Sequence, residues 1–209
     1  MIARAACRRA AVLAGMALLA AGATMVAQQP DPRAALSKGS PTAPVTVYEM
    51  SDFQCPWCAR FAREILPAIE REYIATGKVR FVFVNLPIST HQNAVPAAEL
   101  AMCAARQQRF WPIHDLLFRT QDRWSDLREP GTFFLALADS ARLDRDSVAA
   151  CLRSGATRTL IESDARGSIR SGARSTPSFY IEGGLLRGAY PIEVFRQVLD
   201  SIYAEKTRR

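Results

Sequence analysis

Hydrophobic and polar positions change their period several times along the chain. VTVYEMS (45–51) is short, β-branched and aromatic, and is bounded by turn-compatible residues, which predicts a strand. Beyond it Phe61, Ile65, Ile69 and Tyr73 recur every four residues, the buried stripe of a helix that ends near Gly77. Pro67 lies inside that helix and is expected to kink it. VRFVFVNLP (79–87) is a near-continuous apolar run ended by proline, which suits a strand buried on both faces. Strand, helix and strand in this order form a βαβ unit, so the two strands are expected to run parallel with a right-handed crossover.

Residues 90 to 172 contain no convincing strand, only helical periods over 95–107, 110–121, 131–141, 145–154 and 160–172. Some eighty residues without sheet character are too many for a structureless loop and predict a helical insertion. Strand character returns in SFYIEG (178–183), followed by a Gly-Gly turn signal and GLLRG (184–188), together a hairpin. A last helix runs from Pro191 to about Ala204, with Ile192, Phe195, Val198, Leu199 and Ile202 on one face. The fold class expected is α/β, with the helical insertion between the second and third strands.

The two ends read differently. Residues 1–27 have arginines through Arg9, a charge-free Ala/Leu/Val/Met stretch from Ala10, and small residues where cleavage could follow Ala23 or Ala27. That is the pattern of an export signal; the alternative is a retained N-terminal membrane anchor, since the stretch is nearly long enough to span a bilayer. Residues 28–44 are rich in proline and small polar residues and are expected to be a flexible leader. The folded domain then covers 45–204, followed by a short basic tail, 205–209. The formal charge of +7 includes Arg4, Arg8 and Arg9, which a cleaved signal would remove, and the remaining arginines are interspersed with acids. Without a concentrated basic face, nucleic acid is not an expected partner.

Export changes how cysteine is read, because disulfides persist in an oxidising compartment. Without Cys7 four cysteines remain, Cys55, Cys58, Cys103 and Cys151. In CPWC, positions i and i+3 share one face of a first helical turn, so Cys55 and Cys58 can approach to disulfide distance. Pro56 at the first helical position fixes the turn. The Cys55 sulfur would project from the helix N-terminus, where free N–H groups and the dipole stabilise a thiolate, and Cys58 would lie deeper as the resolving thiol. A zinc site would need a second ligand pair, and neither a second C-x-x-C nor suitably spaced His91 and His114 supplies one. Both histidines are read as surface or capping residues. An inert bridge is the other alternative, but a chain with a core of this size does not need one.

Far downstream, RSTPSFYI places Pro177 directly before the third predicted strand. Taken with YEMSDFQCPWCARF, AMCAARQQRFWPIHDLLF and STPSFYIEG, the sequence resembles the thioredoxin superfamily, and within it the DsbA-like exported thiol:disulfide oxidoreductases, from Val45 to about Ala204. The resemblance implies a thioredoxin-like fold, a cis Pro177 packed against Cys55, and a Thr176 backbone available to an extended substrate segment. It implies an acidic group near the buried cysteine at Glu49, a proton relay to Cys58, although strand alternation leaves a solvent-facing Glu49 open. Trp57 reads either as a platform for extended substrates or as a cover over the disulfide, and Pro56 belongs to the same surface. Strong oxidants of the family often have histidine where Trp57 stands, so a less extreme potential is expected; Thr176 is seen more often in relatives that reduce or isomerise. Several relatives bridge the helical domain, which implies a structural disulfide between Cys103 and Cys151; separate buried thiols and a redox relay are the alternatives. Asp52 and Gln54 are read as shaping the turn.

The function expected is oxidation of cysteines in exported proteins, with no metal or organic cofactor, an unidentified membrane protein as redox partner, and a monomeric state in a periplasmic or other extracytoplasmic location. The alternatives are a disulfide reductase or isomerase, and a non-catalytic thioredoxin-like binding module.

Overall fold

The computed structural model describes residues 31–208, so the expected signal, 1–27, lies outside the described residues. Five strands form one mixed sheet: β1 (Ser37–Lys38), β2 (Val45–Ser51), β3 (Val79–Asn85), β4 (Ser178–Ile181) and β5 (Gly184–Arg187), in the order β1-β3-β2-β4-β5. β2 and β3 are parallel, pairing Val45 with Val79 through Ser51 with Asn85. β4 returns antiparallel to β2, with Glu49 opposite Phe179. The C-terminal end of β2 and the N-terminal end of β4 therefore share one edge of the sheet. The α/β class with a helical insertion is the observed architecture.

The linking helix, α1, spans 56–74, and its hydrogen-bond register changes three times along it. α-Helical turns at Pro56–Arg60 and Leu66–Ile69 alternate with wider π turns at Phe61–Ile65 and Glu70–Ile74. Pro67 has no N–H to offer, and Leu66 N bonds back to Phe61 O instead, so the helix absorbs the proline by widening. Phe61, Ile65, Ile69 and Tyr73 all bury their side chains, joining Phe81, Phe179 and Phe195 in a core under the sheet.

The insertion consists of α2 (Ala94–Ala105), α3 (Phe110–Arg119), α4 (Gln121–Trp124), α5 (Gly131–Ser140), α6 (Arg145–Ser154) and α7 (Arg158–Arg170). Its core of alanine, leucine and aromatic side chains is continuous with Phe53, Cys58 and Phe83 of the sheet domain. Cys103 on α2 and Cys151 on α6 are joined by a disulfide across 48 positions. α8 (Ile192–Thr207) closes the chain, burying Phe195 and Leu199.

Several expectations are corrected. The leader expected over 28–44 is ordered from its earliest described residues: Asp31 caps a 3-10 turn at Pro32–Leu36, Leu36 is buried, and Ser37 and Lys38 pair with Val82 and Phe81. One apolar side chain and two ladder positions hold the segment, a signal that composition averages away. The insertion consequently follows the third strand of the sheet. The basic tail expected at 205–209 is not separate, because α8 continues to Thr207 and Lys206 pairs with Glu182. β3 alternates buried and half-buried positions, so only one face of it is sealed. The hairpin turns at Glu182 and Gly183, both at positive φ, one residue before the Gly-Gly pair would centre it. His114 is fully buried: with Phe110 and Phe118 one turn to either side, it lies on the apolar face of α3.

Candidate active site

β2 delivers the chain to the sheet edge, and Asp52 to Gln54 turn it into α1. Cys55 is the N-cap of that helix, with extended backbone (φ −73°, ψ 122°) and its carbonyl accepting from Ala59 N at 3.1 Å. No side chain caps the first turn, so the early N–H groups of Trp57 and Cys58 are free to face the Cys55 sulfur. Pro56 and Trp57 lie outside on the first turn, whereas Cys58 faces inward and is fully buried. Both thiols are free, and Cys55 retains 5% exposure.

Opposite Cys55, the loop into β4 contains the cis peptide bond Thr176–Pro177. The Cys55 thiol donates to Thr176 O at 3.3 Å. Pro177 is buried, and its carbonyl accepts from Gly188 N at 2.8 Å, tying this loop to the end of the hairpin.

The electrostatics separate the two cysteines. The Cys55 thiol is brought down to about 6, first by its hydrogen bond with Cys58, then by the Thr176 side chain and the backbone N–H groups of Cys58 and Trp57, which together overcome burial. Burial drives Cys58 the other way, well above an ordinary thiol, and the charges of Cys55 and Glu49 add to the rise. At neutral pH the pair therefore holds one thiolate at the rim and one thiol inside. Glu49 is fully buried on β2, and burial pushes its carboxyl up to about 8. Ser51 pulls slightly the other way, yet neither carboxylate oxygen completes a hydrogen bond with a protein group. The solvent-facing alternative for Glu49 is thereby excluded: β2 is the middle strand and Phe83 and Phe179 pair on either side.

Trp57 keeps 57% of its surface open, with the Arg60 guanidinium 5.8 Å from its ring centre. Asp52 and Gln54 do more than shape a turn. Asp52 is buried; one carboxylate oxygen accepts from Gln54 N at 2.7 Å, the other from Ile88 N at 2.7 Å and meets His91 Nδ1 at 2.8 Å. Gln54 accepts from Asn93 N and donates to Ser125 O, while Asn93 Nδ2 reaches the carbonyls of Trp124, Ser125 and Leu127. Gln121 Nε2 donates to Phe53 O at 2.6 Å and to Cys55 O at 3.0 Å. Asn93 and Gln121 were not singled out by sequence. For Gln121 a usable signal exists, since it is a polar residue at the next apolar position after Ile113 and Leu117 and before Trp124. His91 sits at the site as the partner of Asp52; His114 places its Nδ1 on Asp115, and burial holds it below the usual histidine range. Among the described residues no group of three His, Cys, Asp or Glu side chains is placed to hold a metal ion.

A dithiol at a helix N-terminus, faced by a cis proline at the edge of a mixed sheet, defines a thioredoxin-fold protein. The family model described as Thioredoxin matches residues 33–201, and the chain belongs to this family. It is 35% identical over 173 residues to a Na(+)/H(+) antiporter NhaA 3 of Salinispora tropica, covering 82% of this chain and 25% of that protein. It is 25% identical to the disulfide bond formation protein D of Bacillus subtilis, covering 86% of this chain and 82% of that protein. The chain thus spans about a quarter of the length of the antiporter relatives. Among solved structures, BdbD from Bacillus subtilis superposes with a TM-score of 0.74 at 23% identity, covering 81% of this chain and 92% of that one. Wolbachia pipientis alpha-DsbA1 gives 0.72 at 25% identity, covering 82% and 92%. Among the described residues no helix is long and apolar enough to cross a membrane.

Proposed function

We propose that the protein is an exported thiol:disulfide oxidoreductase that oxidises cysteine pairs in other exported proteins. The observation that carries this reading is the division of the cysteine pair into a stabilised rim thiolate at Cys55 and a buried, protonated Cys58. In the oxidised enzyme a substrate thiolate attacks the Cys55 sulfur, forming a mixed disulfide and breaking the Cys55–Cys58 bond, whose electron pair leaves on Cys58. The leaving thiolate, disfavoured by burial, takes a proton from the Glu49 carboxyl, which is positioned to hold one near neutral pH. A second substrate thiolate then attacks the substrate sulfur of the mixed disulfide and expels Cys55 as the thiolate. Substrate leaves with a disulfide, and the enzyme keeps two electrons and its Cys58 proton.

Thr176 and Pro177 flank the sulfur where an extended substrate segment would lie, since proline adds no N–H there and the Thr176 backbone can pair with a strand. The open face of Trp57, with Pro56 beside it, supplies apolar contact to that segment. Reoxidation falls to a membrane redox partner, in keeping with an export signal at 1–27. The pairing of Cys103 with Cys151 is structural, fastening α2 to α6 away from the exchanging pair.

The test is stoichiometric oxidation of a dithiol peptide by the purified, oxidised protein. One equivalent of peptide disulfide should form per oxidised Cys55–Cys58 pair, and Cys55→Ser should abolish it. A Cys55→Ser protein that still binds unfolded chains, from a wild type that never oxidises the peptide, would instead establish a binding module.

A further inference from the structure

Besides packing apolar side chains around the cysteine pair, the helical insertion sends one amide side chain to the backbone of Cys55. Gln121, at the start of α4, is buried, and its single amide nitrogen donates to the carbonyls on both sides of Gln54: Phe53 O at 2.6 Å and Cys55 O at 3.0 Å. The Cys55 carbonyl already accepts from Ala59 N, so Gln121 is its second donor. Buried amides are retained where they satisfy buried partners, and these partners belong to the residue bearing the sulfur and the turn that delivers it. A carbonyl oxygen beside a thiolate is a partial negative charge beside a full one; an N–H aimed at it offsets that charge and fixes the oxygen's direction. The other insertion contacts differ in kind. Asn93 serves the carbonyls of Trp124, Ser125 and Leu127, and Gln54 serves Ser125 O, so both hold the two loops together without touching Cys55.

We propose that Gln121 is a positioning residue through which the helical insertion stabilises the Cys55 thiolate and so sets the redox poise of the pair. The consequence for the potential rests on the oxidoreductase reading above; the consequence for the thiolate does not. Stabilising the thiolate stabilises the reduced form, which makes the disulfide a stronger oxidant.

The experiment compares Gln121→Leu with the wild type and with Asn93→Ala, in the full mature protein. The Cys55 thiolate is titrated through its ultraviolet absorbance and its rate of alkylation by iodoacetamide, the potential is read against glutathione, and Tm is recorded for each. Gln121→Leu should raise the thiolate pKa and lower the equilibrium constant for oxidising glutathione by about tenfold, equivalent to about 30 mV. Asn93→Ala should lower Tm while leaving both readings near wild type. A Gln121→Leu protein that loses Tm with an unchanged thiolate pKa would show a purely structural role and overturn the proposal, as would equal pKa shifts in both variants. If Gln121→Leu does not fold, Gln121→Met answers in its place: close to glutamine in length but without a donor, it should raise the thiolate pKa likewise, whereas an unchanged value sinks the idea. Alkylation needs no turnover, so a wild type that fails to oxidise peptides would refute the proposed function while still testing Gln121.

Discussion

Glu49 is a carboxyl with no counter-charge and no protein hydrogen bond in a sealed position, so its proton is the only thing that makes it tolerable there. Its ordinary value of 4.5 rises to about 8 in the folded protein. Between those pH values the folded state keeps a proton that the unfolded state has released, so this residue makes stability fall as pH rises through that window. Glu49→Gln should flatten the fall and stabilise the protein above pH 8 by on the order of a few kcal/mol. Urea titrations at pH 5 and pH 8.5 check it, and an equal pH dependence in both proteins would contradict it. The same variant should slow peptide oxidation by about tenfold or more, because the Cys58 leaving group loses its acid. At Trp57 the expected change is in potential: Trp57→His places a second donor and a partial positive charge on the first turn, and should make the pair more oxidising in a glutathione equilibration.

At the scale of elements, the early segment is the instructive case. Leu36 is buried against the insertion core while Ser37 and Lys38 extend the sheet past β3, and Lys38 pairs with Glu70 and lies 4.3 Å over the Trp111 ring. Leu36→Ala should cost about 2–5 kcal/mol, the range for truncating a buried leucine, read as a shift in the urea midpoint at constant slope. Such a segment is hard to read because two ladder residues and one core residue leave no period, whereas β2, α1 and the insertion helices repeat their patterns over several turns. The site divides along the same line. Cys55, Cys58 and Pro177 were legible because their chemistry is local, a spacing of three and a proline before a strand. Asn93, Gln121 and the inward role of Asp52 depend on which loops the fold brings together, and amide side chains carry no motif. The burial of His114 was legible in part, since it shares the face of Phe110, Ile113 and Leu117.

For the whole molecule, sheet and insertion share a core, and the disulfide between Cys103 and Cys151 closes a 48-position loop within the insertion. Replacing both cysteines by alanine should cost roughly 4 kcal/mol in the chain-entropy model, measured by thermal unfolding, while peptide oxidation by the folded protein continues; loss of exchange without loss of fold would make that bridge a redox relay. Redox state and stability are linked through the other pair. In the reduced protein the Cys55 thiol falls from 9.0 to about 6, so its contribution to stability is complete above pH 9 and is lost as pH falls through 6. The oxidised protein has no such group. Whether a rim thiolate stabilises the reduced pair, so that the disulfide is readily given away, is decided by equilibrating the Cys55–Cys58 pair with glutathione while titrating the Cys55 thiolate. The expected result is a thiolate pKa near 6 and a potential above that of thioredoxin, about −270 mV. A thiolate pKa near that of a free thiol, with a potential at or below that of thioredoxin, would contradict it and make the protein a reductase.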